Sequence, residues 1–152
     1  MEWRNADMKR GMALLWGILA LLAAMPGGAQ SSEADGQPAL AASGYVLVTA
    51  QTQMGWLALP DGEDVVYPLT QLLPDGTEAL NLIHLTPEGV YVEDASCENH
   101  DCVKQGIVTL ENRDSRILGN MIVCLPNQVL LELFSPDEVL EMVRQGMPAP
   151  EG

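Results

Sequence analysis

The chain has 152 residues, with 21 acids against seven basic residues and a formal net charge of −14. That length admits at most one ordinary domain. So acidic a chain repels phosphate backbones and anionic lipid heads, which argues against nucleic acid as a partner. Three cysteines, an odd number, leave at least one thiol without an internal disulfide partner.

Residues 1–29 carry the marks of an export signal. Arg4, Lys9 and Arg10 precede an uncharged apolar run from Gly11 to Met25, and Pro26-Gly27-Gly28-Ala29 then breaks the helix with small residues at Gly27 and Ala29. A positive start, a short apolar stretch and a small-x-small site define a secretory signal, so cleavage after Ala29 is expected. The alternative is an uncleaved anchor, although the run is shorter than the roughly 20 apolar residues of a spanning helix. No cysteine stands at the cut, which argues against a lipoprotein anchor. Basic residues before the apolar run hold the N-terminus inside, so both readings put the remainder outside the cytoplasm. The expected location is extracytoplasmic, secreted or tethered to the outer face of the cytoplasmic membrane, with membrane contact only through this segment.

Beyond Ala29 the imbalance deepens, because Glu2 and Asp7 are the only acids removed, while Arg4, Lys9 and Arg10 go with them. Nineteen acids then face Lys104, Arg113, Arg116 and Arg144. Residues 30–43, rich in Ser, Ala, Gly and Gln without an apolar period, read as a flexible linker.

From Gly44 the pattern turns to short β-type runs. Tyr45–Thr49 and Gly55–Leu59 come first, and Asp64–Tyr67 is expected to end at Pro68. Ala79–Leu85 alternates, with Leu80, Leu82 and His84 on one side and Asn81, Ile83 and Leu85 on the other. Pro87-Glu88-Gly89 turns it into Val90–Glu93 as a hairpin. Gly106–Leu110, Met121–Cys124 and Gln128–Phe134 follow. About seven short strands without intervening helical periods predict an all-β domain over residues 44–134, a small barrel or sandwich. Residues 135–152 form a short helix and tail: Ser135 is placed as N-cap, Pro136 at the first helical position and Asp137 and Glu138 in the first turn.

One stretch escapes strand patterning, Ser96-Cys97-Glu98-Asn99-His100-Asp101-Cys102-Val103-Lys104-Gln105-Gly106. Cys124 returns later, in Ile122-Val123-Cys124-Leu125-Pro126-Asn127. Three chemistries compete for these cysteines. A disulfide among Cys97, Cys102 and Cys124 would staple a small exported domain, and this reading is preferred. A metal or cluster site could use Cys97, His100, Cys102 and Cys124 as four ligands for zinc or iron–sulfur, although the spacing is not that of a standard finger. Thiol redox work is the third, against which stand the x4 spacing and the lack of a βαβ pattern.

The same residues carry a family resemblance. Cys97-x4-Cys102-Val103-Lys104-x-Gly106-Ile107, followed by Ile122-Val123-Cys124-Leu125-Pro126-Asn127, resembles the NusG domain II family of small extracytoplasmic proteins. The resemblance implies an all-β, barrel-like fold and carries little about activity. One departure is Glu98, where the family usually has Pro after its first Cys. The family name does not point to transcription here, since an exported acidic domain does not meet RNA polymerase.

Other groups are weaker. His84 reads as a satisfied or edge histidine, Trp56 as a core residue rather than a binding aromatic, and Asp61, Glu63, Asp64, Glu93 and Asp94 as solvated acids with Ca²⁺ as the alternative. Neither a phosphate loop nor a nucleophile elbow is present. No catalytic residue and no cofactor are assigned. The expected function is a non-enzymatic interaction or accessory module at the cell envelope, with an envelope or membrane protein as partner. The alternative is a redox or metal-handling protein using Cys97, Cys102 and Cys124.

Overall fold

The computed structural model describes residues 40–151, so the signal segment expected over residues 1–29 lies outside the described residues. Eight antiparallel strands are found among them, in two four-stranded sheets. The first sheet has the order β2-β1-β8-β7. Strands β1 (Tyr45–Ala50) and β2 (Gln53–Ala58) form a hairpin closed by Gln51 and Thr52. Gln51 takes a left-handed φ of 55° there, as tight hairpin turns require. On the other side of β1 lies β8 (Val129–Phe134), and β7 (Met121–Cys124) pairs with β8 so that Cys124 faces Val129.

The second sheet has the order β3-β4-β5-β6, from β3 (Val65–Leu72), β4 (Glu78–Leu85), β5 (Gly89–Ala95) and the two-residue β6 (Val108–Thr109). Apart from β2 and β3, each strand sends alternate side chains to one core, as the period of two dictates, while the edge strands β2 and β3 add the partly buried Leu57 and Leu69. Val46, Val48, Ile122, Leu131 and Leu133 enter it from the first sheet, and Ile83, Leu85, Val90, Val92 and Val108 from the second. Each such side chain contributes roughly 1.5–3 kcal/mol by leaving water.

Two details of the second sheet depart from the sequence pattern. Strand β3 does not stop at Pro68 but runs through it to Leu72. Because β3 is an edge strand, a residue without an N–H is tolerated. Between β4 and β5 the register slips, with Leu82 opposite Asp94 but Ile83 opposite Val92. Glu93 is thus the extra residue of a β-bulge, which resets the alternation so that Ala95 and Cys97 point inward.

After β5 comes a single helical turn, α1 (Asp101–Lys104), packed against β5 and β7. A 3-10 turn at Arg113–Ser115 leads towards β7. The C-terminal helix α2 (Pro136–Arg144) starts as its sequence predicts. Ser135 Oγ accepts from the Glu138 N–H, and the Glu138 carboxylate accepts from the Ser135 N–H at 2.8 Å, a complete capping box. Arg113 reinforces it with an ion pair to Glu138 at 2.6 Å, and Val139 is buried. No helix among the described residues is long and apolar enough to cross a membrane.

Candidate functional site: a pocket of three thiols

Cys97 follows β5, Cys102 sits in α1 and Cys124 closes β7, and the three sulfur atoms lie within 4.8 Å of one another. Exposure is 4% for Cys97, 1% for Cys102 and 2% for Cys124. All three are free thiols, and the Cys97 and Cys102 Sγ atoms are 3.7 Å apart. Burial pushes the thiols of Cys97 and Cys102 up, and the neighbouring Cys124 sulfur pushes the same way. Both are therefore neutral at ordinary pH unless a cation replaces their protons.

The loop between Cys97 and Cys102 is held by its own polar residues. Asn99 donates to the Asp101 carboxylate at 2.8 Å and accepts from the Asp101 N–H. Lys104 Nζ reaches the Asn99 carbonyl at 2.8 Å and Asp101 Oδ1 at 3.2 Å. His100 enters α1 with a left-handed φ of 49°, and Gly106 leaves it with φ of 68°, a conformation that glycine adopts without steric cost. The Cys-x4-Cys-Val-Lys-x-Gly spacing is thus the length of one clamped turn.

Gln105 fixes that turn against β7. Its side-chain amide donates to the Val123 carbonyl at 2.8 Å and its Oε1 accepts from the Val123 N–H at 2.9 Å, as a neighbouring strand would. Since β7 is the edge of its sheet, its outward backbone groups are open to such a partner. Arg116 in turn donates to the Gln105 carbonyl at 2.8 Å. Cys102 is thereby set beside Cys124.

A buried pair of asparagines forms the floor. Asn81 and Asn127 are 0% and 3% exposed, and Asn127 Nδ2 donates to Asn81 Oδ1 at 2.8 Å and to the Leu80 carbonyl at 3.1 Å. With its oxygen engaged, Asn81 turns its own amide N–H to Cys102 Sγ at 3.9 Å. The Asn127 carbonyl accepts from Gln71. Strand β4 therefore turns Asn81 inward and leaves Leu80 exposed and Leu82 half-exposed. Ala79, Ile83 and Leu85 share the inward face, so hydrophobic burial selects it, and the polar network beside the sulfur accommodates Asn81 there.

Of the four ligand candidates, the fold brings three together. His100 stands apart, its Nδ1 beside the Glu98 carbonyl at 3.3 Å and its Nε2 beside Asp94 at 3.5 Å, with 46% of its side chain exposed. Asn81 and Gln105 escaped the sequence reading. A polar residue on the Ile83–Leu85 side of an alternating strand was the available signal for Asn81; Gln105 left none.

Two clefts border the cysteines. One, of about 290 Å³, is lined by Asp101, Cys102, Gln105, Cys124, Leu125 and Pro126. The other, of about 370 Å³, is bordered by Cys97, Glu98, Asn99, Pro126 and Asn127. Leu125, next to Cys124, is 79% exposed at the mouth of the first.

Elsewhere, His84 is satisfied on both ring nitrogens, by Asp64 at 3.1 Å and Glu93 at 3.2 Å, and stacks on Tyr91 at 4.5 Å. Two of the acids first read as solvated thus hold a histidine. Trp56 is half-buried, edge-on to Phe134 at 6.1 Å, and its indole N–H donates to the Pro148 carbonyl at 2.9 Å. It anchors the tail rather than filling the core.

Fold and site define a small antiparallel β domain organised around three buried thiols. The chain belongs to the NusG domain II family, whose model matches residues 43–137. Three solved structures are similar to it. A DUF1312 family protein from Enterococcus faecalis V583 is 20% identical, with 62% of this chain and 99% of that one covered and a TM-score of 0.47. A protein from Listeria innocua is 19% identical, with 61% and 97% covered and a TM-score of 0.45. A DUF1312 family protein from Ruminococcus gnavus ATCC 29149 is 25% identical, with 59% and 96% covered and a TM-score of 0.38. Comparison with curated proteins gives no match.

Proposed function

We propose that the chain is a non-enzymatic accessory module on the outer face of the cytoplasmic membrane, and that it works by holding one soft metal ion in the Cys97–Cys102–Cys124 pocket for an envelope protein. The observation that carries this reading is the convergence of three buried sulfurs within 4.8 Å from three separate elements. Thiolates are ligands for soft metals, and a core that wanted only apolar filling has no use for an amide aimed at Cys102. Metal ligands are commonly oriented by such outer hydrogen bonds. The exported location rests on the segment from Arg4 to Ala29.

Neutral, buried thiols are poor nucleophiles, which favours a binding role over thiol exchange. A partner docking beside Leu125 would sit next to Cys124, and the flanking Glu98 and Asp101 carboxylates suit a basic partner surface.

The test has two arms. In intact cells stripped of any outer layer, added protease should digest the domain while a cytoplasmic control survives. Protein isolated from that location without chelators should carry about one metal ion per chain. A protected domain removes the location, and a metal-free one removes the binding role.

A further inference from the structure

The ion itself can be narrowed from the geometry, an inference that rests on the metal-binding reading above. Two thiolates on one ion, each about 2.3 Å from it, stand about 3.8 Å apart in a tetrahedral site and about 4.0 Å apart in a trigonal one. The observed 3.7 Å between Cys97 and Cys102, the separation of a thiol–thiol hydrogen bond, needs only a small adjustment to meet either arrangement around one ion, and all three sulfurs lie inside 4.8 Å. A cluster of several irons spreads its thiolates more widely than this.

The ligand count decides further. Zinc in structural sites takes four ligands, and among the described residues this group offers three. His100, the only imidazole near the loop, is engaged with Glu98 and Asp94. Three thiolates alone are a donor set that soft monovalent copper accepts. We infer that the Cys97–Cys102–Cys124 pocket is a trigonal site for monovalent copper, with Asn81 as the residue that positions Cys102.

Binding exchanges thiol protons for the ion. Cu⁺ and three thiols give either a complex of two thiolates and one thiol with two protons released, or a tri-thiolate complex with three. No electron moves, so no oxidant or reductant takes part. Asn81 acts through its N–H towards the Cys102 sulfur at 3.9 Å, which orients that ligand.

The full chain, prepared metal-free under reductant and without oxygen, is titrated with Cu⁺ buffered by a chromogenic chelator, and in parallel with Zn²⁺. The expected result is one Cu⁺ per chain, a sulfur-to-copper charge-transfer band in the near ultraviolet, and a preference for Cu⁺ over Zn²⁺. His100→Ala, a surface change, should leave affinity and stoichiometry as they were. Asn81→Ala should weaken Cu⁺ binding about 10–100-fold, as loss of an outer partner does, with one ion still bound and the charge-transfer band shifted. Zinc bound in preference, or an affinity that falls in His100→Ala, overturns the copper site and leaves the metal-binding reading standing. Retention of neither metal by the folded chain overturns both.

Discussion

Gln105 and Val123 are joined by two hydrogen bonds, at 2.8 and 2.9 Å, in which a side-chain amide takes the place of a neighbouring strand. Through this pair a single helical turn is locked onto the edge strand that carries Cys124, and the distance between Cys102 and Cys124 depends on it. Gln105→Ala should lower stability by about 1–3 kcal/mol, the range for stranding polar partners. It should also raise the rate at which a thiol reagent labels Cys102. Denaturant unfolding and labelling followed by mass spectrometry read the two effects; unchanged labelling would show that the turn is held by other means.

Asn127→Ala removes the donor to Asn81 Oδ1 and to the Leu80 carbonyl. A loss of about 1–3 kcal/mol follows from the unpaired Asn81 Oδ1, while the Leu80 carbonyl keeps its bond from the Ser96 N–H at 2.9 Å. The amide of Asn81 is then free to turn, so the environment of the Cys102 sulfur changes as well. Chemical denaturation gives the first effect and the shift of a metal–sulfur absorption band gives the second.

The asparagines also mark where the sequence stops being legible. Alternation in Ala79–Leu85 identifies the strand and puts Ile83 and Leu85 on one face, but it does not say what a buried Asn81 on that face bonds to. Only Asn127 and Cys102, 46 and 21 residues distant, resolve it. The bulge at Glu93 and the passage of β3 through Pro68 likewise depend on which strand is an edge and which partner is opposite. Helix α1 is four residues long, too short to show a period. By contrast the capping box of α2 and the strands flanking Cys124 are local patterns, and the sequence alone places them.

Helix α2 gives a pH-dependent prediction. The Arg113 guanidinium beside Glu138, with the Ser135 N–H and hydroxyl, holds its carboxyl below the ordinary value of 4.5. A lowered pKa in the folded state stabilises the fold above the unfolded value, and that contribution is lost as pH falls through the folded one. Glu138→Ala should cost about 0.5–2 kcal/mol at neutral pH, the range for losing a cap. The gap between parent and variant should narrow as pH drops below 4.5. Thermal unfolding of both proteins across that range checks the sign.

Gly89 and Gly55 form a matched pair of substitutions. A Cβ at Gly89 would lie 2.0 Å from the Val108 carbonyl oxygen, across the β5–β6 pair, whereas one at Gly55 meets nothing within 4 Å. Gly89→Ala should destabilise by at least the 1–3 kcal/mol or so typical of overpacking. Gly55→Ala should stay within about 0.5 kcal/mol of the parent. Equal melting temperatures for the two variants would contradict the close approach of β5 and β6.

The central claim, that Cys97, Cys102 and Cys124 act together on one ion, is tested most directly by the intact mass of the protein taken from its own compartment. The measurement is made under native conditions, then repeated after a chelator and after a reductant. The account predicts one metal mass per chain that the chelator removes, with three thiols titratable afterwards. A mass two protons short of the reduced chain, restored by reductant and indifferent to chelator, would mean a disulfide and contradict it.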